Sequence, residues 1–223
     1  LRRLDAALAP EFAGRGRFRI SSLEPSQLDD EGVETLMSCR MLCPQLHISL
    51  QHASQPVLRR MGRGHYTAAM LQRAVERLRA HWPVMGLGAD IIAGFPGERE
   101  EDVACLLDFV RKTPFSYAHV FPYSRRPGTR AYDMGDQLTN AVKEARSHEM
   151  IRVTTATQQA FFKAQIGRTE EVLFEREIQK GVWEGYSMNY TPVAVASGTS
   201  LAGEIRSVRI ESCTDTHCMG VVL

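Results

Sequence analysis

The sequence predicts an α/β fold with a parallel sheet, followed by a small all-β barrel. Four short strand-like runs, at residues 17–22, 46–51, 85–93 and 117–123, recur at intervals of about 30 to 40 residues with helical patterns between them. Strand, helix, strand in this order is typical of parallel βαβ units. After residue 167 short β-rich runs broken by Gly, Pro and Asn replace the helical patterns. We therefore predict two units, residues 1–166 and 167–223.

Each element has its own signal. Helical spacing of apolar residues predicts helices within residues 67–82, 98–112 and about 138–166, and the opening segment LRRLDAALAPEF also has a helical pattern. Acidic residues between 98 and 102 favour the start of the second of these helices, because they complement the positive end of its dipole. The runs TEEVLFERE, GVWEGYSMNY, TPVAVAS and GEIRSVRIESC predict a barrel of about five strands.

The composition argues against a membrane-spanning protein and against a secreted one. The chain is 43% hydrophobic and 24% charged, and it contains no run near the roughly 18 apolar residues of a membrane span. Five cysteines without a secretory signal favour free thiols in a reducing compartment, so we expect a cytoplasmic protein without a membrane partner. Because Leu1 opens a helix-like segment, we expect that the chain was cut from a longer protein.

The net charge of +1 conceals an uneven distribution. Residues 168–223 carry five Lys and Arg against eight Asp and Glu, whereas residues 1–167 carry 22 against 18. Neither part is basic enough to indicate nucleic-acid binding by charge alone.

Polar residues close the strand-like runs, where parallel sheets bind ligands. Ser22 ends the first run and Glu24 follows it, Gln51 ends the second, and Tyr123 ends the fourth. The third run contains Asp90, whose carboxylate requires a partner in an apolar strand. A ribose diol, an ammonium group or a barrel Arg or Lys would each satisfy it.

Further candidates are weaker when taken alone. Gly94 begins the strand-to-helix turn GFPGE, where glycine permits close backbone approach, although most such turns only reverse the chain. Arg63, between two glycines, can bind a carboxylate bidentately or belong to a solvated face. Gln51 can contact a ligand or merely the neighbouring backbone.

The cysteines and histidines predict no metal site. Cys39 and Cys43 are four residues apart, which would place them on one helical face, but Leu46 stands where a CxxxCxxC motif needs its third cysteine. The seven histidines have no zinc-ligand spacing, and no nucleophile triad is evident.

Together the motifs RFRISSLEP, LHISLQHAS, VLRRMGR, LGADIIAGFPGE and AHVFPYSRRPGT resemble, in this order, the second half of the radical S-adenosylmethionine (SAM) barrel of methylthiotransferases. The resemblance covers about residues 17–128. It implies the last four strands of a partial, TIM-like (β/α)6 barrel, followed by a TRAM-like β-barrel. SSLEP and HVFPYSRRPGT are most similar to the branch that methylthiolates threonylcarbamoyladenosine beside the tRNA anticodon.

The resemblance also implies cofactors and partners. In the family one 4Fe-4S cluster reduces SAM to a radical, a second cluster supplies sulfur, and another SAM supplies the methyl group. The protein would act on the tRNA anticodon stem-loop and would need a reductant and a sulfur donor. The cluster cysteines would belong to a missing N-terminal part, so the isolated chain would be inactive, with an exposed sheet edge.

The resemblance assigns roles to the candidate residues. Asp90 and Gln51 would contact the ribose or methionine end of SAM, Arg63 its carboxylate, and Ser22 with Glu24 the same polar region. Ile92, Gly94 and residues 119–123, including Tyr123, would border the adenine.

The C-terminal barrel occupies the place of a module thought to hold tRNA. The candidates for backbone contact and base stacking are Arg168, Lys180, Trp183, Tyr186, Tyr190, Arg206 and Arg209. Alternatively the aromatic residues fill the barrel core, and the negative charge of this unit argues against a general phosphate grip.

Other functions stay open on the sequence. A methylthiotransferase acting on isopentenyladenosine in tRNA, or on an aspartate of a ribosomal protein, would share LQHAS. Another radical SAM enzyme, such as a porphyrin-pathway oxidase, would share the Gln51, Arg63 and Asp90 positions without needing a β-barrel. A non-catalytic RNA-binding adaptor with a degenerate barrel is the alternative from a different class.

Overall fold

A four-stranded parallel sheet forms the first part of the molecule in a computed structural model that describes all 223 residues. Its strands are β1 (Phe18–Leu23), β2 (Leu42–Gln51), β3 (Gly86–Ala93) and β4 (Tyr117–Pro122), which pair in that order. All three pairings are parallel. The predicted parallel sheet is therefore confirmed, and its two edges are β1 and β4.

Six helices accompany this sheet and lead out of it. They are α1 (Arg2–Phe12), α2 (Asp30–Ser38), α3 (Gln55–Arg60), α4 (Ala68–His81), α5 (Glu100–Lys112) and α6 (Asn140–Lys163). Asp29 and Thr67 cap α2 and α4, because their side chains accept hydrogen bonds from the amides of Gly32 at 2.8 Å and Met70 at 3.1 Å. No separate sequence pattern predicted α2 or α3.

The sheet has one apolar and one polar face. In β2 the side chains of Leu46, Ile48 and Leu50 are fully buried in the core with α4 and α5. Because side chains alternate along a strand, His47 and Gln51 point to the opposite face, where they are only half-buried. This second face carries the polar residues of the candidate site.

The last part of the chain is a closed five-stranded barrel, as predicted. Its strands are β5 (Thr169–Gln179), β6 (Val182–Ser187), β7 (Pro192–Ala196), β8 (Ile205–Cys213) and β9 (Cys218–Val222), in the order β5-β6-β7-β9-β8. Phe174, Val193 and Val208 are fully buried in its separate core. Phe162 of α6 also packs there, so the long helix joins the two cores.

The turn between β6 and β7 connects the barrel to the sheet. The Asn189 side-chain amide donates to the Val84 carbonyl at 3.0 Å, and the Arg19 guanidinium lies 3.7 Å from the centre of the Tyr190 ring. The small barrel is thereby held against the amino-terminal end of the parallel strands.

The expected helical pairing of Cys39 and Cys43 is wrong. Cys39 follows the last turn of α2 with an extended backbone, and Cys43 lies within β2. The helix ends at Ser38, before both cysteines, and β2 begins at Leu42. Both thiols are buried, and burial is the main cause that raises the pKa of each.

No helix of the molecule combines the length and the apolar character that a membrane span requires.

Candidate functional site

Two adjoining cavities open at the carboxyl ends of β2, β3 and β4. Their volumes are about 590 Å³ and about 440 Å³, and Gln51, Ile92 and Phe95 line both. Asp90 and Tyr123 line the larger cavity, and Arg63 the smaller. Five of the eight predicted cofactor-binding residues therefore border these two adjoining cavities, at the sheet edge where parallel α/β folds bind ligands.

The strand ends at this site have unusual backbone geometry. Ser22 and Gln51 end the first and second predicted strand-like runs, and their φ values are 55° and 58°. A residue with a side chain adopts this left-handed region at a cost of about 1–3 kcal/mol, so such geometry persists only where the surroundings determine it. At Gln51 the conformation accompanies a side chain that borders both cavities.

Asp90 has a structural partner that the sequence reasoning did not name. Its carboxylate Oδ2 lies 3.1 Å from His47 Nε2, and His47 Nδ1 lies 3.0 Å from the hydroxyl of Tyr117. Gln45 donates to the same hydroxyl at 2.9 Å. Burial raises the pKa of Tyr117 to about 12. The contacts of Gln45, Tyr117 and His47 orient the Asp90 carboxylate, which stays 27% exposed and lines the cavity.

Alternation along the strand could have revealed His47. His47, Ser49 and Gln51 occupy every second position of the LHISLQ run, so a strand places all three on one face. Tyr117 had no comparable signal, because its contact with His47 joins residues 70 positions apart.

Arg63 forms an internal ion pair. Its Nη1 lies 2.6 Å and 2.8 Å from the two carboxylate oxygens of Glu24, and His65 Nε2 lies 3.4 Å from the same carboxylate. The structure therefore brings Arg63 and Glu24 together but leaves Ser22 without a side-chain contact to either. A ligand carboxylate approaching Arg63 would compete with Glu24.

The turn that begins at Gly94 is built around a buried carboxylate. Glu98 accepts hydrogen bonds from the amides of Gly94 at 2.9 Å and Phe95 at 3.3 Å, and Arg146 Nη1 binds its other oxygen at 3.0 Å. The fully buried His52 places Nε2 3.5 Å from Glu98. This cluster holds the ends of β2 and β3 against α6.

The requirement for glycine at position 94 comes from packing. Gly94 has a φ of 77°, and a Cβ atom there would lie 2.6 Å from Cγ of Lys143 in α6. The close approach is thus made by a helix of the same chain, and Gly94 does not line either cavity.

The residues present fit SAM, the cofactor that the resemblance implies. The hydroxyl of Tyr123 is buried, has no hydrogen-bond partner and belongs to a residue that lines the larger cavity. A buried hydroxyl without a partner is costly, and a polar ligand would satisfy it. Asp90 adds an acceptor, Gln51 a donor and acceptor, and Ile92 with Phe95 an apolar wall.

An iron-sulfur cluster, in contrast, does not fit the residues of this chain. No group of three or more His, Cys, Asp or Glu side chains is arranged to hold a metal ion. The five cysteines are free, and three of them are buried.

The arginines of the small barrel are all engaged in ion pairs. Arg168 pairs with Glu170 at 2.9 Å, and Arg206 pairs with Glu204 at 2.7 Å. Arg209 pairs with Glu211 at 3.0 Å and Arg176 with Glu184 at 2.6 Å, whereas Lys180 has no such partner. Most of the predicted phosphate-binding side chains of this unit are therefore neutralised by a neighbour.

The aromatic candidates of the small barrel also have partners within the chain. Trp183 packs against the barrel core, and the rings of Tyr186 and Tyr190 stack with their centres 4.5 Å apart. Arg19 covers the Tyr190 ring.

Phe121 is 50% exposed and lines the larger cavity. The sequence indicated it only as part of the range 119–123.

The sequence pattern of the radical SAM superfamily matches residues 2–110. The chain is 33% identical over 212 residues to the threonylcarbamoyladenosine tRNA methylthiotransferase MtaB of Bacillus subtilis, covering 93% of this chain and 47% of that protein. It is 36% identical over 203 residues to the tRNA-2-methylthio-N(6)-dimethylallyladenosine synthase of Sphingopyxis alaskensis, covering 89% and 45%. The chain thus spans about half the length of these curated relatives.

A solved structure shows the same fold. Coproporphyrinogen III oxidase (HemN) from Escherichia coli, described as a radical SAM enzyme, superimposes with a TM-score of 0.58 at 15% identity, covering 83% of this chain and 50% of that one. The motif order, the sequence matches and the shared architecture agree. The chain is therefore similar to radical SAM proteins over residues 2–110 and to tRNA methylthiotransferases over most of its length.

Proposed function

We propose that this protein is a tRNA methylthiotransferase that adds a methylthio group to C2 of N6-threonylcarbamoyladenosine beside the anticodon. The main support is the identity of 33–36% with two threonylcarbamoyladenosine methylthiotransferases over more than 90% of the chain. The cavity with Asp90, Gln51 and the partnerless Tyr123 hydroxyl provides the polar groups that a nucleoside-type cofactor needs. We place the protein in the cytoplasm.

We propose two functional units. Residues 1–166 would form part of a TIM-like radical SAM barrel that needs further strands, and residues 167–223 a TRAM-like barrel. The separate hydrophobic cores support the division, although Phe162 crosses it. The open edges of the sheet, including the exposed Phe121, are surfaces that additional strands would cover.

The match to the radical SAM superfamily supports SAM and an iron-sulfur cluster as cofactors. We propose two 4Fe-4S clusters with ligands outside these 223 residues, together with a reductant and a sulfur donor. SAM, when bound, supplies the radical and methyl chemistry. The chain's own residues bind and orient it and exclude water: Asp90 accepts hydrogen bonds from hydroxyl or ammonium groups, Gln51 both donates and accepts, and Ile92 contacts the apolar base.

Replacing Asp90 with alanine is expected to weaken SAM binding about 10- to 100-fold, because a hydrogen bond to a charged group contributes about 1.5–3 kcal/mol. Isothermal titration calorimetry measures this directly and does not depend on turnover. Asp108→Ala serves as the control, since Asp108 is exposed on α5 and pairs only with Lys112. Equal affinity of Asp90→Ala and wild type would remove Asp90 from the cofactor site.

The related branch that acts on isopentenyladenosine is the second candidate. It is favoured by the 36% identity to the Sphingopyxis synthase and 34% identity to that of Maricaulis maris. Mass spectrometry of nucleosides in tRNA from cells lacking the gene separates the two. We expect the methylthio group to disappear from threonylcarbamoyladenosine alone. Its loss from isopentenyladenosine would assign the protein to the other branch, and unchanged tRNA would contradict both.

A further inference from the structure

Two arginines at the mouth of the joined cavities carry charges that no carboxylate of the chain neutralises. Arg126 lines the larger cavity and Arg130 the smaller one. Both side chains are exposed, and neither takes part in any ion pair of the molecule. We call this pair the rim arginines.

A tight turn presents the rim arginines to solvent. The Thr129 hydroxyl donates to the Arg126 carbonyl at 2.8 Å, and Pro127 with Gly128, whose φ is 80°, forms the corner between them. A Cβ atom on Gly128 would meet nothing within 4 Å, so the corner projects away from the protein. The preceding Arg125 is held inside the loop, because it donates to the Tyr132 carbonyl at 2.8 Å and stacks on that ring.

The surroundings of the rim arginines are also basic. The two cavities are lined by four arginines and one carboxylate: Arg60, Arg63, Arg126 and Arg130 against Asp90. Arg63 pairs with Glu24, Arg60 with Asp136, and Asp90 with His47. The surplus positive charge therefore remains on the exposed rim.

The small barrel, in contrast, has arginines that are all ion-paired and a net negative charge. Each of its four arginines has a glutamate within 3.0 Å, and the residues from 168 onwards carry three more negative than positive charges. A phosphate that approached one of these arginines would meet the paired carboxylate as well. Such mutual neutralisation removes the long-range attraction on which polyanion binding depends.

We propose that the rim arginines bind backbone phosphates of the tRNA, next to the nucleotide that enters the cavity, and that the ion-paired arginines of the small barrel make no comparable phosphate contact. This rests on the proposed function, which supplies tRNA as the substrate. The geometry of the rim is suited to it, because a guanidinium on a defined turn can bind a phosphate bidentately. Base chemistry would occur inside the cavity while the charged strand stays at its edge.

The test is the salt dependence of tRNA binding by the full chain, measured by fluorescence anisotropy with labelled tRNA. Each phosphate contact contributes about 0.7–0.9 to the slope of log affinity against log salt, so Arg126→Ala/Arg130→Ala should lower the slope by about 1.4–1.8. Extrapolated from 1 M to 0.15 M salt, this corresponds to roughly 15- to 30-fold weaker binding. Arg126→Lys/Arg130→Lys keeps both charges and should retain most of the slope.

The matched control is Arg206→Ala/Arg209→Ala, which removes the same charge from the small barrel and should leave the slope unchanged. An equal loss in both double variants would show a net-charge effect and overturn the inference. A wild-type slope in Arg126→Ala/Arg130→Ala would overturn it while leaving tRNA as the substrate. If the wild type does not bind tRNA, both the inference and the proposed substrate are contradicted. If polyglutamate at equal charge concentration displaces the tRNA, the rim arginines bind an acidic protein partner instead.

Discussion

Replacing Glu98 with alanine is expected to lower the free energy of unfolding by about 3–5 kcal/mol, because the change removes the buried carboxylate partner of a buried arginine and leaves it only the exposed Glu100. Only 1% of the Glu98 side chain is exposed, and Arg146 is 10% exposed. The carboxylate also accepts the amides of Gly94 and Phe95. Its removal therefore takes a hydrogen-bond acceptor from one guanidinium and from two backbone amides at the same time.

Urea unfolding followed by circular dichroism measures this loss. Glu101→Ala is the control, because Glu101 lies three residues further on, in the first turn of α5, but is 75% exposed and forms only a long contact with Arg99 at 3.4 Å. Its effect should stay below about 1 kcal/mol. The double variant Glu98→Ala/Arg146→Ala should be less destabilised than the sum of the single changes. Strict additivity, or a loss as small as that of Glu101→Ala, would contradict the buried pair.

Replacing Phe174 with alanine should destabilise the small barrel by about 3–5 kcal/mol, the usual cost of removing a buried aromatic side chain. Phe174 is fully buried in the barrel core, where Val193 and Val208 are its fellow core residues. Because the parallel sheet has its own core of 25 buried residues, we expect the loss to be concentrated in residues 167–223.

Hydrogen exchange followed by mass spectrometry distinguishes the units. Peptides from β5 to β9 should exchange faster in Phe174→Ala, whereas peptides from β2 and β3 should keep their protection. Phe121→Ala is the matched control, since that ring is 50% exposed and its removal should change stability by less than about 0.5 kcal/mol. Equal loss of protection in the sheet and the barrel would contradict the proposed division near residue 167.

The candidate site was predictable where it depends on strand ends. Gln51 was identified because it ends a predicted strand, and Asp90 because a carboxylate within an apolar strand requires a partner. The structure places both beside one cavity. The His47–Tyr117 support of Asp90 was not predicted, because the two residues approach only when β2 and β4 flank β3. The Glu98–Arg146 pair was missed for the same reason, since 48 residues separate its members.

The sequence by itself determined the secondary structure class, the parallel order of the first four strands and the five-stranded barrel, because alternation, helical spacing and turn residues are local signals. The glutamate partners of Arg168, Arg206 and Arg209 are also local, because each lies two residues away and alternation along an extended chain places it on the same face. Only the tertiary structure decided the ion pairs between residues far apart in the chain. Arg63 meets Glu24 and Arg146 meets Glu98, although 39 and 48 residues separate the partners. Such pairing depends on side-chain distances set by the fold, so the charge balance of the cavity mouth could be assessed only in three dimensions.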